Sequence, residues 1–429
     1  MSVKIIRFDR GITNLYLVAL AVVCVAAAWF FMKWNLANMI ASAMNTELPE
    51  ARLVADPLVQ MSPDDPQTHL AAARIFEQTF DAGDLTRSVA EYKAATDLSP
   101  NNYLLWLELG KARDGSGDVS SAEDAFRRAL ELAPNYAAVQ WAYGNSLIRH
   151  GKPDEGFALI AKAAAANRDY SNPAVATAMQ IFDGDVSQVR KILGDTPETN
   201  AALASVLAAQ TKFDDAGEAW SKLAAEDKRT KYKATGDKLI EQFAAAKKYQ
   251  LAARVTADLA PDGGEKPVVG EISNGGFENS IKLRGAGIFE WQIADGPAPQ
   301  IGLTEGERHA GKYSLFISFN SNEPAAFRNV TQTVAVAPGA AYEFEAFYRS
   351  DLKTLAVLKW EIADAVTGTA IASTPAIISA ADWTSLKAKF TVPATSDGVI
   401  IRLIREGCAG ATCAAGGKLS FDDLSIKRL

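Results

Sequence analysis

Between residues 66 and 170 the chain repeats itself every 34 residues. Gly83, Gly117 and Gly151 keep that interval, as do Ala95, Ala129 and Ala163, the larger Tyr92, Phe126 and Ile160, and Pro100 with Pro134. A period of this length predicts two antiparallel helices per unit. The glycine ends the first helix, where a left-handed residue is needed, and the proline stops the second. No such unit buries its apolar face alone, so neighbouring units must stack into a solenoid.

The middle unit, WLELGKARDGSGDVSSAEDAFRRALELAPN, runs from Trp106 to Asn135. It carries Trp106, Leu109, Gly110, Gly117, Ala122, Phe126, Ala129 and Pro134. In residue type and offset it resembles a tetratricopeptide repeat. Beyond residue 173 the pattern decays: Ala216, Trp220 and Leu223 fit the second half of a unit, and Phe243, Tyr249, Ala252 and Leu259 fit a further pair. Residues 174–195 read as a degenerate hairpin, giving five to six helix pairs. The resemblance implies a groove for an extended peptide or a partner helix. The repeat aromatics sit at packing positions, and His69 and His150 are isolated, so neither group marks a ligand.

Ahead of the repeats, Gly11 to Met32 is 22 residues without a charge. At about 1.5 Å per residue this is long enough to cross a bilayer. Lys4, Arg7 and Arg10 precede it and only Lys33 follows closely, so the positive-inside rule places the bulk of the chain outside the cytoplasm. Trp29, Phe30, Phe31 and Trp34 would lie at the outer interface. A cleaved signal peptide, with Ala41-Ser42-Ala43 as the cleavage site, is the alternative. Of the three cysteines, Cys24 lies in this segment, while Cys408 and Cys413 are close enough in sequence to close a small disulfide loop in an oxidising compartment.

After Pro261 the period changes from helical to two. A linker, residues 262–269, leads into segments that read as strands at 313–319, 327–337, 340–350, 355–364, 383–392, 398–407 and the final KLSFDDLSIKR. With the segment near Phe289 these make nine or ten strands, the content of a two-sheet sandwich. The phrases NGGFE, HAGKYSLFI, VTQTVAVAPGAAYEFEAFYRS, ADWTSLKAKFTVP and LSFDDLSI follow one another in the order of the galactose-binding-like carbohydrate-binding modules. Residues 270–429 resemble that jelly-roll superfamily.

The resemblance implies a structural calcium that ties the first strand to the last. Glu278 and Asp422 would supply side-chain oxygens, with Asp423 as substitute for Asp422, and the His309-Ala310-Gly311 turn would supply carbonyls. It also implies glycan recognition by aromatic faces. Trp291, Trp360, Phe347 and Tyr348 are the candidates. Alternation places Trp360 with Leu358 and Ile362, and Trp291 with Phe289 and Ile293, both on core-like faces, whereas Phe347 alternates with Glu343 and Glu345. Trp383 matches a structural position of the superfamily.

The fold class expected is multidomain: an N-terminal transmembrane helix (residues 11–34, after a cytoplasmic 1–10), a juxtamembrane segment (35–64), an all-α tetratricopeptide solenoid (65–261) and an all-β antiparallel jelly-roll sandwich (270–429). A net charge of −7 argues against nucleic acid as a partner. Three histidines without metal-ligand spacing, no phosphate loop and no nucleophile elbow leave no catalytic constellation, so the chain reads as a non-enzyme. The expected role is an outward-facing adaptor at the inner membrane, binding envelope proteins through the repeat groove and a glycan through the sandwich. Such chains resemble components of bacterial cell-surface polysaccharide systems. A purely structural scaffold is the alternative.

Overall fold

The computed structural model describes residues 10–46, 48–79, 83–319, 327–407 and 414–429. Cys408 and Cys413, the expected disulfide, lie outside the described residues. The chain divides into two compact units, residues 1–198 and 199–429.

The first unit is helical. Helix α1 (Arg10–Ala43) is followed by a short 3-10 turn (Pro49–Leu53) and α2 (Ala55–Met61). Four hairpins then follow: α3 and α4 (Pro66–Gln78, Asp84–Leu98), α5 and α6 (Tyr103–Ser116, Val119–Leu132), α7 and α8 (Ala137–Arg149, Pro153–Ala166), and α9 and α10 (Ser171–Ile181, Val186–Leu193). The residues that carry the repeat do what their chemistry predicts. Gly117 ends α5 at φ 85°, and Asp118 then caps α6 by accepting the Ser121 N–H. A Cβ on Gly110 would come within 2.7 Å of the Phe126 ring, so glycine is what lets α5 and α6 close on that ring. Tyr92, Phe126 and Ile160 are fully enclosed.

Helix α1 extends well beyond the expected 11–34. Its stretch Asn14–Ala43 is long and apolar enough to cross a membrane, and the most apolar part is fully exposed. Its C-terminal end is not free. Ala37 is buried against Leu58 and Ala71, with Ile40, Ala41 and Met44 packed around them, and Asn38 Nδ2 donates to Asp65 Oδ2 at 2.8 Å. The last turns of α1 therefore form the first layer of the solenoid.

The second unit holds α11 and α12 (Pro197–Ala209, Phe213–Ser221), the short α13 (Ala225–Arg229), α14 and α15 (Lys233–Ala245, Tyr249–Leu259), and a β-sandwich. Trp220 is fully buried among these helices and donates through Nε1 to Asp258 at 2.9 Å. Eleven strands are described. One sheet runs β1 (Gln292–Ile293), β4 (Val330–Ala335), β10 (Gly398–Glu406), β7 (Val357–Asp364) and β8 (Ala370–Ser373). The other runs β2 (Gln300–Thr304), β3 (Ser314–Phe319), β11 (Ala415–Arg428), β5 (Ala341–Ser350) and β9 (Ala380–Thr391), with β6 (Lys353–Thr354) paired to β11. All pairings are antiparallel. A shared core of alternate residues fills the space between the sheets, as expected for a sandwich.

Residues 262–269 separate helix from strand but not the two compact bodies. Helix α15 is joined to the sandwich. The Asp397 carboxylate accepts the Tyr249 and Gln250 N–H groups, each at 3.0 Å, and so caps α15 from the turn before β10. The Tyr249 hydroxyl donates to the Ala365 carbonyl at 2.9 Å, and Gln250 Nε2 donates to the Val336 carbonyl at 2.9 Å. Gly398 lies under the Tyr249 ring, where a Cβ would fall 2.4 Å from Cδ2.

Candidate functional site

Strand alternation decides which aromatic residues can meet a ligand. Trp360 is completely buried, and Trp291 and Tyr348 are each only 2% exposed. Trp360 packs edge-on to Phe421 at 5.1 Å between ring centres, with Trp291 on another side at 5.9 Å. Trp360 and Tyr348 are therefore core residues, turned inward by their strands with no face left for a sugar, and Trp291, just ahead of β1, is packed with them and meets only the wall of a concavity at the loops that open the sandwich. Phe347 is different: it sits on the outward register of β5 with Glu343, Glu345 and Arg349.

Around Phe347 the six-stranded sheet presents a composite surface. Pairing sets Ser385 of β9 on one side of Phe347 and Asp422 of β11 on the other. His309 stacks on the Phe347 ring at 3.9 Å with 14° between planes, and Trp383 stands 5.8 Å from the same imidazole. One step along the strands, Phe316 and Arg349 flank the fully buried Ser420 in the next row across β3, β11 and β5. Beside it is a shallow pocket of about 190 Å³ lined by Glu307, Arg349, Asp351, Ser379 and Lys418, among others. Glu307 Oε2 accepts from the Ser420 hydroxyl at 3.1 Å, and Asp351 accepts the Lys418 N–H at 2.5 Å. Rings beside charged groups and hydroxyls are the elements from which sugar sites are built. Phe316 and Arg349 escaped the sequence reading because only strand register shows that they share a face, and His309 because a turn outside the strands brings it onto Phe347.

The opposite face is poorer in such groups. Thr331, Thr333, Lys359, Glu361, Ile400, Arg402 and Ile404 point outward from β4, β7 and β10, and none carries a ring. Its centre is taken by an Arg402–Glu361 ion pair.

The expected calcium ligands do come together. Glu278 Oε1 accepts the N–H groups of Lys312 at 2.8 Å and Tyr313 at 3.2 Å. Asp422 Oδ2 accepts those of His309 at 2.8 Å and Ala310 at 3.1 Å, and Asp423 Oδ2 lies 2.6 Å from His309 Nδ1. The turn at 309–313 thus meets both carboxylates with N–H groups, where calcium ligation requires carbonyls. Among the described residues no group of three or more His, Cys, Asp or Glu side chains is disposed to hold a metal. The donor set does not fit the expected ion: Asp422 ties the turn to β11, and Glu278 ties it to the segment that opens the sandwich. Burial pushes the Asp422 carboxyl above its ordinary range, against the pull of the Ala310, His309 and Asp423 N–H groups.

A second concavity, about 630 Å³, is bounded by Ile240, Pro261, Pro267, Asn274, Ile281 and Phe289, among others. It lies between α14, the end of α15 and the loops that open the sandwich. Its walls mix aliphatic side chains with the rings of Phe289 and Trp291 and with polar groups that include Asn279, Lys282 and Glu290.

A tetratricopeptide repeat family matches residues 115–181, and a carbohydrate binding domain family matches residues 270–406. The chain thus joins a solenoid with tetratricopeptide repeats to a sandwich of carbohydrate-binding-domain type, both from non-catalytic families. Among solved structures, a CBM4 structure is 16% identical over 37% of this chain and 99% of its own, with a TM-score of 0.28. MamA is 20% identical over 39% of this chain and 85% of its own, TM-score 0.28. The CBM22-1–GH10 modules of Clostridium thermocellum xylanase 10B, complexed with xylohexaose, are 18% identical over 38% of this chain and 29% of theirs, TM-score 0.27. No curated protein matches the chain.

Proposed function

We propose that the chain is a membrane-anchored adaptor facing out of the cytoplasm, at the inner membrane, that holds an envelope protein on its repeats and a glycan on its sandwich. The role fits the assembly or export of cell-surface polysaccharide. The observation that carries the glycan reading is the outward surface of Phe316, Phe347, His309 and Trp383, with Arg349 and Lys418 beside it, on a sandwich whose family binds carbohydrate. Tethering makes weak single-site affinity sufficient, because it raises the local concentration of binding sites.

The anchor reading is supported by the docked end of α1. Ala41-Ser42-Ala43 lies in a helical turn packed on α2 and α3, whereas a protease needs the backbone extended. Removal of α1 at that point would expose Leu58 and Ala71 and leave Asp65 without Asn38. N-terminal sequencing of the membrane-bound protein checks this: an N-terminus at Met44 refutes retention.

A scaffold without sugar binding is favoured by one observation, the joint between α15 and the sandwich. That joint uses the ends of β4, β7 and β10 and leaves Arg349, Lys387, Lys389 and Lys418 exposed on the six-stranded sheet. The adaptor reading therefore stands ahead of it. Binding of the detergent-solubilised full chain to an array of envelope polysaccharides tests the glycan reading. Silence from well-folded protein moves the assignment to a scaffold.

A further inference from the structure

We propose that the glycan held on the six-stranded sheet is acidic: the surface around Phe347 takes a polysaccharide segment bearing uronic-acid carboxylates, and Arg349 and Lys418 receive the acid group. The inference rests on the glycan reading of this face and adds the chemical class of its ligand.

Strand register brings the two cations beside the rings. Phe347 and Arg349 are alternate residues of β5, so their Cα atoms lie about 6–7 Å apart on one face. Ser420 of β11 stands opposite Arg349, and Lys418, two residues before it, takes the same face with its Nζ 5.9 Å from the centre of the Phe316 ring. A sugar ring seated on Phe347 therefore has Arg349 within one side-chain length. The pocket lined by Arg349 and Lys418, about 190 Å³, is smaller than a whole-ligand site and has room for the acid substituent of one residue.

Partnering separates these cations from others in the sandwich. Cross-strand carboxylates meet several sheet cations: Glu343 and Glu345 meet Lys387, Glu343 also meets Lys389, Glu361 meets Arg402, and Glu406 meets Lys359. Among the described residues no carboxylate lies within ion-pair reach of the Arg349 or Lys418 side chain. The two carboxylates lining the same pocket are turned to other donors, Glu307 to the Ser420 hydroxyl at 3.1 Å and Asp351 to the Lys418 N–H at 2.5 Å. An anion between Arg349 and Lys418 offsets their mutual repulsion. The guanidinium matches a carboxylate with two parallel hydrogen bonds, while Glu307 and Asp351 keep lone pairs for sugar hydroxyls.

The test measures binding of the full chain in detergent to hexasaccharides of polygalacturonate, β-1,4-polyglucuronate and alginate, each before and after reduction of its carboxyl groups to primary alcohols. Binding to at least one acid form is expected, weakened about tenfold or more by reduction and by a similar factor in Arg349→Gln. Arg349→Lys keeps the charge without the fork and should restore only part of the loss. Arg402→Gln removes the same charge from the opposite sheet and should change nothing. Equal or tighter binding of the reduced forms overturns the inference and leaves the glycan reading standing. Binding of neither form overturns both. An acid preference that survives Arg349→Gln and Lys418→Gln together overturns the assignment to these cations. Equal loss in Arg402→Gln, or equal competition by poly-L-glutamate, shows capture by charge alone and also overturns it.

Discussion

Replacing Asp397 separates a welded helix–sandwich joint from two modules on a string. In Asp397→Ala the first turn of α15 loses both oxygens that accept the Tyr249 and Gln250 N–H groups. Loss of an N-cap costs about 1 kcal/mol, and hydrogen bonds to a charged acceptor are worth about 1.5–3 kcal/mol. Water reaches the half-buried Asp397 and replaces part of this, so the net loss is about 2–3 kcal/mol. For a unit of this size, each kcal/mol lowers the melting temperature by about 2–4 °C, giving a drop of about 5–10 °C. Asp397→Asn keeps one acceptor oxygen and loses the charge, so about half the effect remains. Hydrogen exchange on the full chain in detergent reads the consequence locally. Faster exchange should appear together in α15 and in the strand ends it touches, near Val336 and Ala365. Exchange that quickens in α15 alone, with an unchanged melt of the sandwich, would show that the two fold independently and refute the reasoning.

The remaining expectations concern the turn, the repeats and one histidine. Chelation should leave the melting temperature unchanged, since the 309–313 turn already satisfies Glu278 and Asp422 with N–H groups; a stabilising shift on adding calcium would contradict this. Gly117→Ala forces a left-handed residue on a Cβ and should cost about 1–2 kcal/mol in chemical denaturation, with Thr211→Gly neutral or stabilising. His69 donates through Nδ1 to the Glu91 carboxylate at 2.5 Å and through Nε2 to the Pro63 carbonyl at 2.7 Å. The Glu91 carboxylate raises its pKa against burial, so the stabilisation is fully present below about pH 6.5 and lost as pH rises through the raised value. Thermal melts between those limits should fall with pH, and His69→Gln should flatten the dependence.

The repeat was legible where the turn chemistry is strict. Gly83, Gly117 and Gly151 all adopt positive φ at the hairpin bend, which is why their spacing survives in the sequence. In the later hairpins the left-handed position is held by Thr211 and Lys247 instead. Packing there carries the strain, and the punctuation disappears from view although the bend remains: Lys212 and Lys248 close it with the same backbone bond as Asp118. The long strands of the sandwich were legible by alternation, whereas β2 (QIGLT) and β8 (AIAS) are short and lack an outward polar series.

The candidate site was harder to see. Alternation warned that Trp291 and Trp360 share faces with core residues, and the structure buries both. Phe347 was identified on the strength of its Glu343 and Glu345 neighbours. His309 stacks on it from a turn 38 positions earlier in the chain, and no local pattern announces such a partnership. The same holds for Asp397, whose ATSDGVI context reads as a plain turn while its carboxylate caps a helix almost 150 residues upstream. Local chemistry marks bends and faces; contacts between distant loops need coordinates.

Glycan binding by the full chain bears most directly on the adaptor reading, compared between the native protein and Trp383→Ala, Arg349→Ala and Arg402→Ala. The site assignment predicts that the first two weaken binding about tenfold or more, at ~1.4 kcal/mol per tenfold, while Arg402→Ala on the opposite sheet leaves it intact. Loss in Arg402→Ala with the other two unaffected would move the site to the five-stranded sheet, and no binding by any form would contradict the account.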